Sequence, residues 1–181
     1  MKSRVFVLCE DKQQQTFVRR ILKQLGFENH HLRFAKLPAG KGAGEQFVRK
    51  NYPDEVKEYR QKAPANAVSL LVIIDSDLLS LNERHKQLND ELVAKQMVTR
   101  QQDEHIPILI PKRNIETWIH YLWGEQVNET DTYPKLKKES DCWTAADKLV
   151  SYYRSNLPST DVPSHLREGV EELKERLPSS S

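Results

Sequence analysis

The sequence has few cysteines, no metal-ligand spacing of histidines and no long apolar stretch. Its 181 residues include two cysteines, Cys9 and Cys142, which lie far apart, and Cys9 falls within a predicted core strand. This pattern argues against a disulfide framework and against a zinc site. The six histidines show no metal-ligand spacing either. No apolar stretch is long enough for a signal peptide or a membrane span, so we expect a reduced, cytoplasmic protein with no membrane partner.

Excess charge is also absent. The chain carries 28 basic and 26 acidic residues, for a net charge of +2. This excess is too small to indicate nucleic-acid binding by itself, so any site for a polyanion must be a local patch. The basic residues that we expect to line such a patch are Arg49, Lys50, Lys57 and the run at 135–138.

Glycine is scarce, and its one cluster is PAGKGAGE at 38–45. The glycines suit close approach of backbone N–H groups to a phosphate. The segment is not a P-loop, because the G-K-[ST] ending is missing. Two interpretations stay open for Lys41 and Gly42: a flexible substrate-binding loop, or a plain turn.

Short apolar segments alternate with helical patterns over the first two thirds of the chain. The predicted strands are 4–9, 32–37, 68–74 and 106–110, and the predicted helices between and after them are 16–26, 45–62, 81–103 and 115–123. This alternation is typical of an α/β fold, a Rossmann-like parallel sheet of four strands flanked by helices. We therefore predict an α/β catalytic domain at 1–123. A C-terminal helical extension at 124–181 would pack on it, with helices at 143–155 and 164–177 and a disordered tail at 178–181.

The central segment of this pattern is VSLLVIIDSD at 68–77. An uninterrupted, β-branched run of this length predicts a strand buried on both faces of the sheet. It ends on Asp75 and Asp77, and two like charges this close suggest that a cation lies between them. The alternative is that Asp75 caps the following turn and Asp77 caps a helix.

Residues that could bind a ligand or take part in a reaction follow every predicted strand. They are Glu10 after the first, the 40–44 loop after the second, Asp75 and Asp77 after the third, and Lys112, Arg113 and Glu116 after the fourth. In open parallel sheets, ligands bind at this carboxyl edge. Carboxylates beside a few cations suit Mg²⁺ and phosphate chemistry.

The residues after the fourth predicted strand each allow two interpretations. Glu116 could complete a second metal position, or it could pair with Lys112 at i, i+4. Lys112 and Arg113 could hold a phosphate or stabilise developing charge, or they could be idle loop cations.

Two motifs carry a family resemblance. Glu10 stands in VFVLCED, Asp75-Ser76-Asp77 stands in LLVIIDSD, and a helix, a strand and a helix are predicted between them. This pattern resembles the TOPRIM domain of primases, topoisomerases and OLD-type nucleases, with a glutamate after the first strand and D-x-D after the third. PKRNIETW is similar to the segment after the fourth strand of small stand-alone TOPRIM-like proteins. The chain departs from the family in having Glu10-Asp11 where E-G is usual, and the resemblance covers only 1–123.

The resemblance implies that Asp75 and Asp77 bind Mg²⁺ directly or through water, with Mn²⁺ as a substitute. Glu10 would be a further ligand or a general acid/base. Lys112 would be catalytic, and Lys41, Gly42 and Arg113 would bind substrate. The chain has no room for a topoisomerase tyrosine domain or for a primase initiation module. The implied activity is therefore a nuclease with a separately encoded ATPase partner in a prokaryotic defence or DNA-processing system. The sequence leaves both DNA and RNA open as the nucleic-acid partner, and DNA is the favoured one.

Two other functions stay open. A phosphoacceptor receiver domain also places acids after its first strand, an aspartate after its third and a lysine after its last. Glu10-Asp11, Asp75 and Lys112 would fill these positions, although a receiver needs neither the long insertion nor Asp77. The other alternative is a degenerate TOPRIM module that binds nucleic acid or a partner without cutting.

Overall fold

The computed structural model describes residues 3–40, 43–158 and 161–178, and within them the chain forms four strands and six α-helices. The elements are β1 Arg4–Leu8, α1 Lys12–Gln24, β2 Leu32–Phe34, α2 Gly44–Lys62, β3 Val68–Ile73, α3 Leu81–Ala94, β4 Ile108–Leu109, α4 Ile115–Leu122, α5 Trp143–Arg154 and α6 Ser164–Arg176. The predicted α/β fold is confirmed, and it is Rossmann-like. Lys41, Gly42 and residues 179–181 of the predicted tail lie outside the described residues.

The sheet is entirely parallel and has the order β2-β1-β3-β4. All six residues of β3 are buried, as its unbroken apolar run predicts. Because successive side chains of a strand point to opposite faces, Leu71 and Ile73 pack against α1, α4, α5 and α6, whereas Leu70 and Val72 pack against α2 and α3. The result is a three-layer arrangement of helices, sheet and helices, in which the carboxyl edge of the sheet is left open.

Helix α1 begins and ends on local signals. The Asp11 side chain caps it, since its Oδ1 accepts a hydrogen bond from the Gln14 backbone N at 2.9 Å, as N-cap aspartates do. The buried face carries Phe17, Val18, Ile21 and Leu22. Gly26 follows the last turn with φ of 95°, a conformation that favours glycine after a helix.

Helix α3 is shorter than the predicted 81–103, because it ends at Ala94. Gln96 takes a φ of 57°, and the Met97 backbone N donates back to the Leu92 carbonyl at 3.0 Å. The Arg60 guanidinium then binds the carbonyls of Val98 and Thr99 at 3.0 and 3.1 Å. The polar sequence is compatible with a longer helix, but these contacts hold the segment after Ala94 in a non-helical path.

The last helix completes the edge of the sheet. Strand β4 pairs with β3 through only two residues, and the Ile108 backbone N donates to Glu172 Oε2 on α6 at 2.9 Å. The same carboxylate binds the Arg100 guanidinium at 2.5 Å. None of the helices in the described segments has both the length and the apolar character needed to cross a membrane.

Candidate metal centre

The parallel pairing of β1 and β3, with Leu8 opposite Val72, places Glu10 beside Asp75. Glu10 Oε1 accepts a hydrogen bond from the Asp75 backbone N at 2.6 Å. The Gln14 side chain joins the two residues, since its Nε2 donates to Asp75 Oδ1 at 2.9 Å and its Oε1 accepts from the Glu10 backbone N at 2.8 Å. The first turn of α1 therefore holds both acids in place.

Helix α2 begins directly against Glu10. A Cβ added to Gly44 would lie 2.7 Å from Glu10 Cβ and 2.9 Å from the Glu10 carbonyl oxygen. Contacts this short cannot be relieved without moving the backbone, so only glycine fits here. The close approach brings the N-terminal end of α2, which favours negative charge, to the Glu10 side of the site.

A cavity of about 590 Å³ opens at this edge of the sheet. It is lined by Glu10, Asp11, Gly40, Gly44, Asp75, Asn114, Glu116 and Lys135. Acids from three elements thus meet around one space, with Lys135 at its rim. The predicted acids Glu10, Asp75 and Glu116 belong to this lining, whereas Asp77 does not.

Burial and mutual repulsion disfavour the charged forms of these acids. Burial raises the pKa of Glu10 to about 8, helped by the charges of Asp77 and Asp11 and opposed by the Asp75 N–H. Burial also raises the pKa of Asp75 well above its ordinary value, and the charges of Glu10, Asp11 and Glu116 add to this effect. Burial raises the pKa of Glu116 as well. A cation in the cavity would relieve this repulsion.

Asp77 lies at the exposed rim, with a φ of 51° and a side chain that is 64% exposed. Its Oδ2 is 3.4 Å from Arg84 Nη2. The buried Arg84 side chain also donates to the Asp75 carbonyl at 2.7 Å and to Glu45 Oε1 at 2.5 Å. Asp77 does not cap α3, because Ser80 does so through the Glu83 backbone N at 3.2 Å. The capping interpretation of Asp77 is therefore wrong.

The donor set fits a hard cation held partly through water. The lining offers carboxylate oxygens, and Glu116 Oε1 is buried with no hydrogen-bond partner. However, within the described residues the only group of three that brings its ligand atoms within 4.8 Å of one another is Glu28, His30 and His31. The acids of the cavity are more widely spaced, so an ion shared by several of them would be held partly through water.

The Glu28–His30–His31 group lies before β2, at the opposite edge of the sheet from the cavity. The histidines show no ligand spacing in the sequence, and the 3₁₀ turn at Asn29–His31 is what brings His30 and His31 together with Glu28. Glu28 and His31 also form the capping box of that turn, and His30 Nδ1 lies 3.4 Å from Glu28 Oε2. This local role explains why they converge.

The cations after β4 do not line the cavity. Lys112 Nζ donates to the Leu79 carbonyl at 3.3 Å, so the suggested i, i+4 pair with Glu116 does not form. Arg113 has a φ of 63°, and its Nη2 donates to Thr132 Oγ1 at 3.0 Å. Both residues lie at the carboxyl edge of the sheet, as expected, but their side chains face other partners. Their catalytic and substrate-binding roles stay predictions.

Among the expected patch residues, the structure brings Lys135 to the cavity but gives Arg49 a different role. The Arg49 guanidinium pairs with Glu45 at 2.6 Å and Glu91 at 2.8 Å. Sequence reasoning missed Gln14 and Arg84 altogether. A glutamine in a run of three and an arginine in a polar helix carry no signal of their own.

Comparison of the chain with protein-family models, with curated proteins and with solved structures finds no match. The resemblance to TOPRIM domains therefore rests on the sequence motifs alone: Glu10, Asp75-Ser76-Asp77 with the predicted elements between them, and PKRNIETW at 111–118.

Proposed function

We propose that the protein is a Mg²⁺-dependent nuclease that hydrolyses phosphodiester bonds of nucleic acid at the 590 Å³ cavity. The observation that carries this proposal is the meeting of Glu10, Asp75 and Glu116 around one open space. Burial raises the pKa of each of them. Acids that repel one another at the carboxyl edge of a parallel sheet are best explained by a bound cation.

Asp75 and Glu116 would hold the ion, with Asp77 reached through water from the rim and Glu10 as a further ligand or an acid/base. When bound, the ion supplies charge neutralisation for the phosphate. Glu10, with a pKa of about 8 in the protein alone, can hold or release a proton close to neutral pH, which suits general acid–base catalysis.

Two further side chains support the arrangement. Lys135 is 79% exposed at the cavity rim, where its ammonium can reach a phosphate oxygen that approaches from solvent. Arg84 holds the Asp75–Asp77 loop through the Asp75 carbonyl. We propose DNA as the substrate, and the ATPase partner rests on the family resemblance alone.

The receiver alternative is less well supported by the geometry. A receiver requires its lysine near the phosphoacceptor aspartate, and Lys112 Nζ binds the Leu79 carbonyl instead. A degenerate module would share the geometry of a nuclease, and activity distinguishes the two.

The test is cleavage of supercoiled plasmid, linear duplex DNA and RNA, each with Mg²⁺, Mn²⁺ or EDTA. We expect cutting with either metal and none in EDTA. Asp75→Asn, Asp77→Asn and Glu10→Gln should each reduce the rate by at least about 100-fold. Asp54→Asn, which changes an exposed acid on α2, is the matched control and should cut like wild type.

Cleavage that persists in EDTA, or an Asp75→Asn variant with full activity, would refute the metal mechanism. A wild-type protein that cuts none of the three substrates under any metal condition would favour the degenerate module. Labelling of Asp75 by acetyl phosphate would favour the receiver.

A further inference from the structure

The turn before β2 gathers three side chains that can each offer a ligand atom to an ion. In the part of the chain that the structure describes, Glu28, His30 and His31 form the only group of three acids, histidines or cysteines whose ligand atoms all lie within 4.8 Å of one another. The capping box accounts for the meeting of Glu28 and His31, but His30 takes no part in that box. Whether the group can hold an ion therefore depends on its distances and on the state of its rings.

The separation of Glu28 and His30 fits two ligands of one ion. His30 Nδ1 lies 3.4 Å from Glu28 Oε2, which is longer than an ordinary N–H···O hydrogen bond of about 2.7–3.2 Å. In a tetrahedral site with metal–ligand bonds of about 2.0–2.1 Å, neighbouring ligand atoms are ~3.3–3.4 Å apart. The two atoms therefore already stand at the separation that a shared ion requires.

The His31 ring is held in the form that binds metals. Its Nδ1 accepts a hydrogen bond from the Glu28 backbone N at 3.3 Å, so this nitrogen carries a lone pair and the ring is neutral. The centroids of the His30 and His31 rings are 3.9 Å apart, and two imidazolium charges at this distance would repel each other. Neutral imidazole ligates transition ions through either of its nitrogens, and a bond as long as 3.3 Å can give way to an ion.

We propose that Glu28, His30 and His31 form a binding site for a transition ion of the Zn²⁺ class. Two imidazole nitrogens and one carboxylate oxygen suit Zn²⁺ and its neighbours, whereas Mg²⁺ prefers oxygen ligands throughout. Three protein ligands leave a fourth position for water. The His30 and Glu28 side chains are 69% and 57% exposed, so the ion can enter from solvent. This site is separate from the Mg²⁺ centre of the proposed nuclease and does not depend on it.

The position of the site gives the ion a structural effect. Strand β2 begins at Leu32, directly after His31, and the Leu32 backbone N donates to the Asn29 carbonyl within the turn. This strand has only three residues and lies at the edge of the sheet. An ion held by the turn would fix the start of the strand. Because the three ligands are brought together only in the folded chain, the ion would also stabilise the fold.

The experiment is equilibrium dialysis of the full chain against Zn²⁺, with an excess of Mg²⁺ to occupy the acid cavity. We expect wild type to bind a Zn²⁺ ion that Mg²⁺ does not displace. His30→Asn leaves the capping box intact and should weaken this binding by at least about 10-fold. His105→Asn, at an exposed histidine, is the matched control and should bind Zn²⁺ like wild type. Asp75→Asn should also keep the ion, because it changes only the other centre.

Two outcomes of the dialysis would overturn the proposal. One is a His30→Asn variant that binds Zn²⁺ as tightly as wild type. The other is an ion that Asp75→Asn loses and His30→Asn keeps, since this ion would lie in the acid cavity. The binding result is the same whether or not the protein cuts nucleic acid, so failure of this site and failure of the proposed nuclease can be told apart.

A second measurement uses ¹⁵N-histidine NMR of the wild-type protein, so it does not depend on whether a variant folds. Adding Zn²⁺ should shift the ring signals of His30 and His31 together and leave those of His105 unchanged. Signals that shift at His30 alone would overturn the proposal in favour of single-ligand binding at the surface. Signals that Zn²⁺ leaves unchanged at both residues would show that the turn serves only as a cap.

The effect on stability is tested by urea unfolding with and without Zn²⁺. At a free Zn²⁺ concentration about 100 times the dissociation constant, the unfolding equilibrium constant of wild type should fall about 100-fold. That of His30→Asn should fall much less at the same concentration. Equal effects of Zn²⁺ on the two proteins would overturn the assignment of the ion to this turn.

Discussion

Glu10→Gln should make the protein more stable in alkaline solution and leave its stability in acid unchanged. The amide keeps an oxygen that can accept the Asp75 N–H, now at 2.6 Å, but it carries no charge at any pH. In the cation-free protein the pKa of Glu10 is raised from an ordinary 4.5 to about 8. The fold therefore binds a proton between these values that the unfolded chain has released.

The sign follows from this difference in bound protons. Because the native state holds more protons than the unfolded state, the free energy of unfolding falls as the pH rises from about 4.5 to about 8. At about 1.36 kcal/mol per pH unit, the full difference corresponds to about 5 kcal/mol. Glu10 is partly exposed, and its charge acts on Asp75 as well, so we expect about half of this value, ~2–3 kcal/mol.

The assay is urea unfolding of wild type and Glu10→Gln from about pH 4 to about pH 9 in the presence of EDTA. The two free energies of unfolding should coincide at the acid end and diverge by ~2–3 kcal/mol at the alkaline end. Saturating Mg²⁺ should then narrow the gap, because it stabilises the wild-type site, with Glu10 as a further carboxylate, more than the variant site. A gap that is constant across the pH range, or a wild type that becomes more stable as the pH rises, would refute the electrostatic reasoning.

Other predictions test the frame of the site. Gly44→Ala should destabilise the protein by about 1–3 kcal/mol in urea unfolding and weaken Mg²⁺ binding, since its Cβ would meet Glu10. Gly169→Ala, whose Cβ would meet a buried tryptophan instead, should lower stability without changing Mg²⁺ affinity, and equal effects on affinity would contradict this assignment. Arg84→Met should cost about 3 kcal/mol of unfolding free energy and weaken metal binding, and a variant as stable as wild type would show that its contacts are not needed. Neutralising Lys137–Lys138 should reduce the salt dependence of DNA binding by about one unit of slope for each phosphate that these lysines neutralise, whereas an unchanged slope would mean that this run is a solvated loop.

The fold could be predicted because its signals are local. The short β-branched segments and the apolar faces of the helices reveal every strand and helix, and most of the predicted ends lie within a few residues of the observed ones. The largest error is the end of α3, where the chain leaves the helix at Ala94. That ending depends on Arg60, which is distant in sequence and binds the following carbonyls. Strand β4 is also shorter than the predicted 106–110, because only Ile108 and Leu109 pair with β3.

The candidate site could be predicted only in part. Glu10 and Asp75 meet because parallel strands end at the same edge, a consequence of topology that a sequence pattern can reveal. The path of the chain after β4 cannot be read in this way. Arg113 adopts a positive φ and its guanidinium binds Thr132. Lys112 Nζ donates a hydrogen bond to the Leu79 carbonyl. Gln14 and Arg84 act through hydrogen bonds to residues distant in sequence, and such partners leave no mark on their neighbours in the chain.

The carboxylate of Glu172 has a consequence for how the chain behaves outside its native state. An edge strand exposes backbone groups that can recruit another chain, and the Ile108 N–H on the outer side of β4 is instead satisfied by α6. Helix α6 therefore hinders pairing of this edge with another chain, besides packing on the sheet. A ribosome-bound or truncated chain that ends before residue 164 would present this edge bare, so full-length synthesis and solubility should be coupled in this protein.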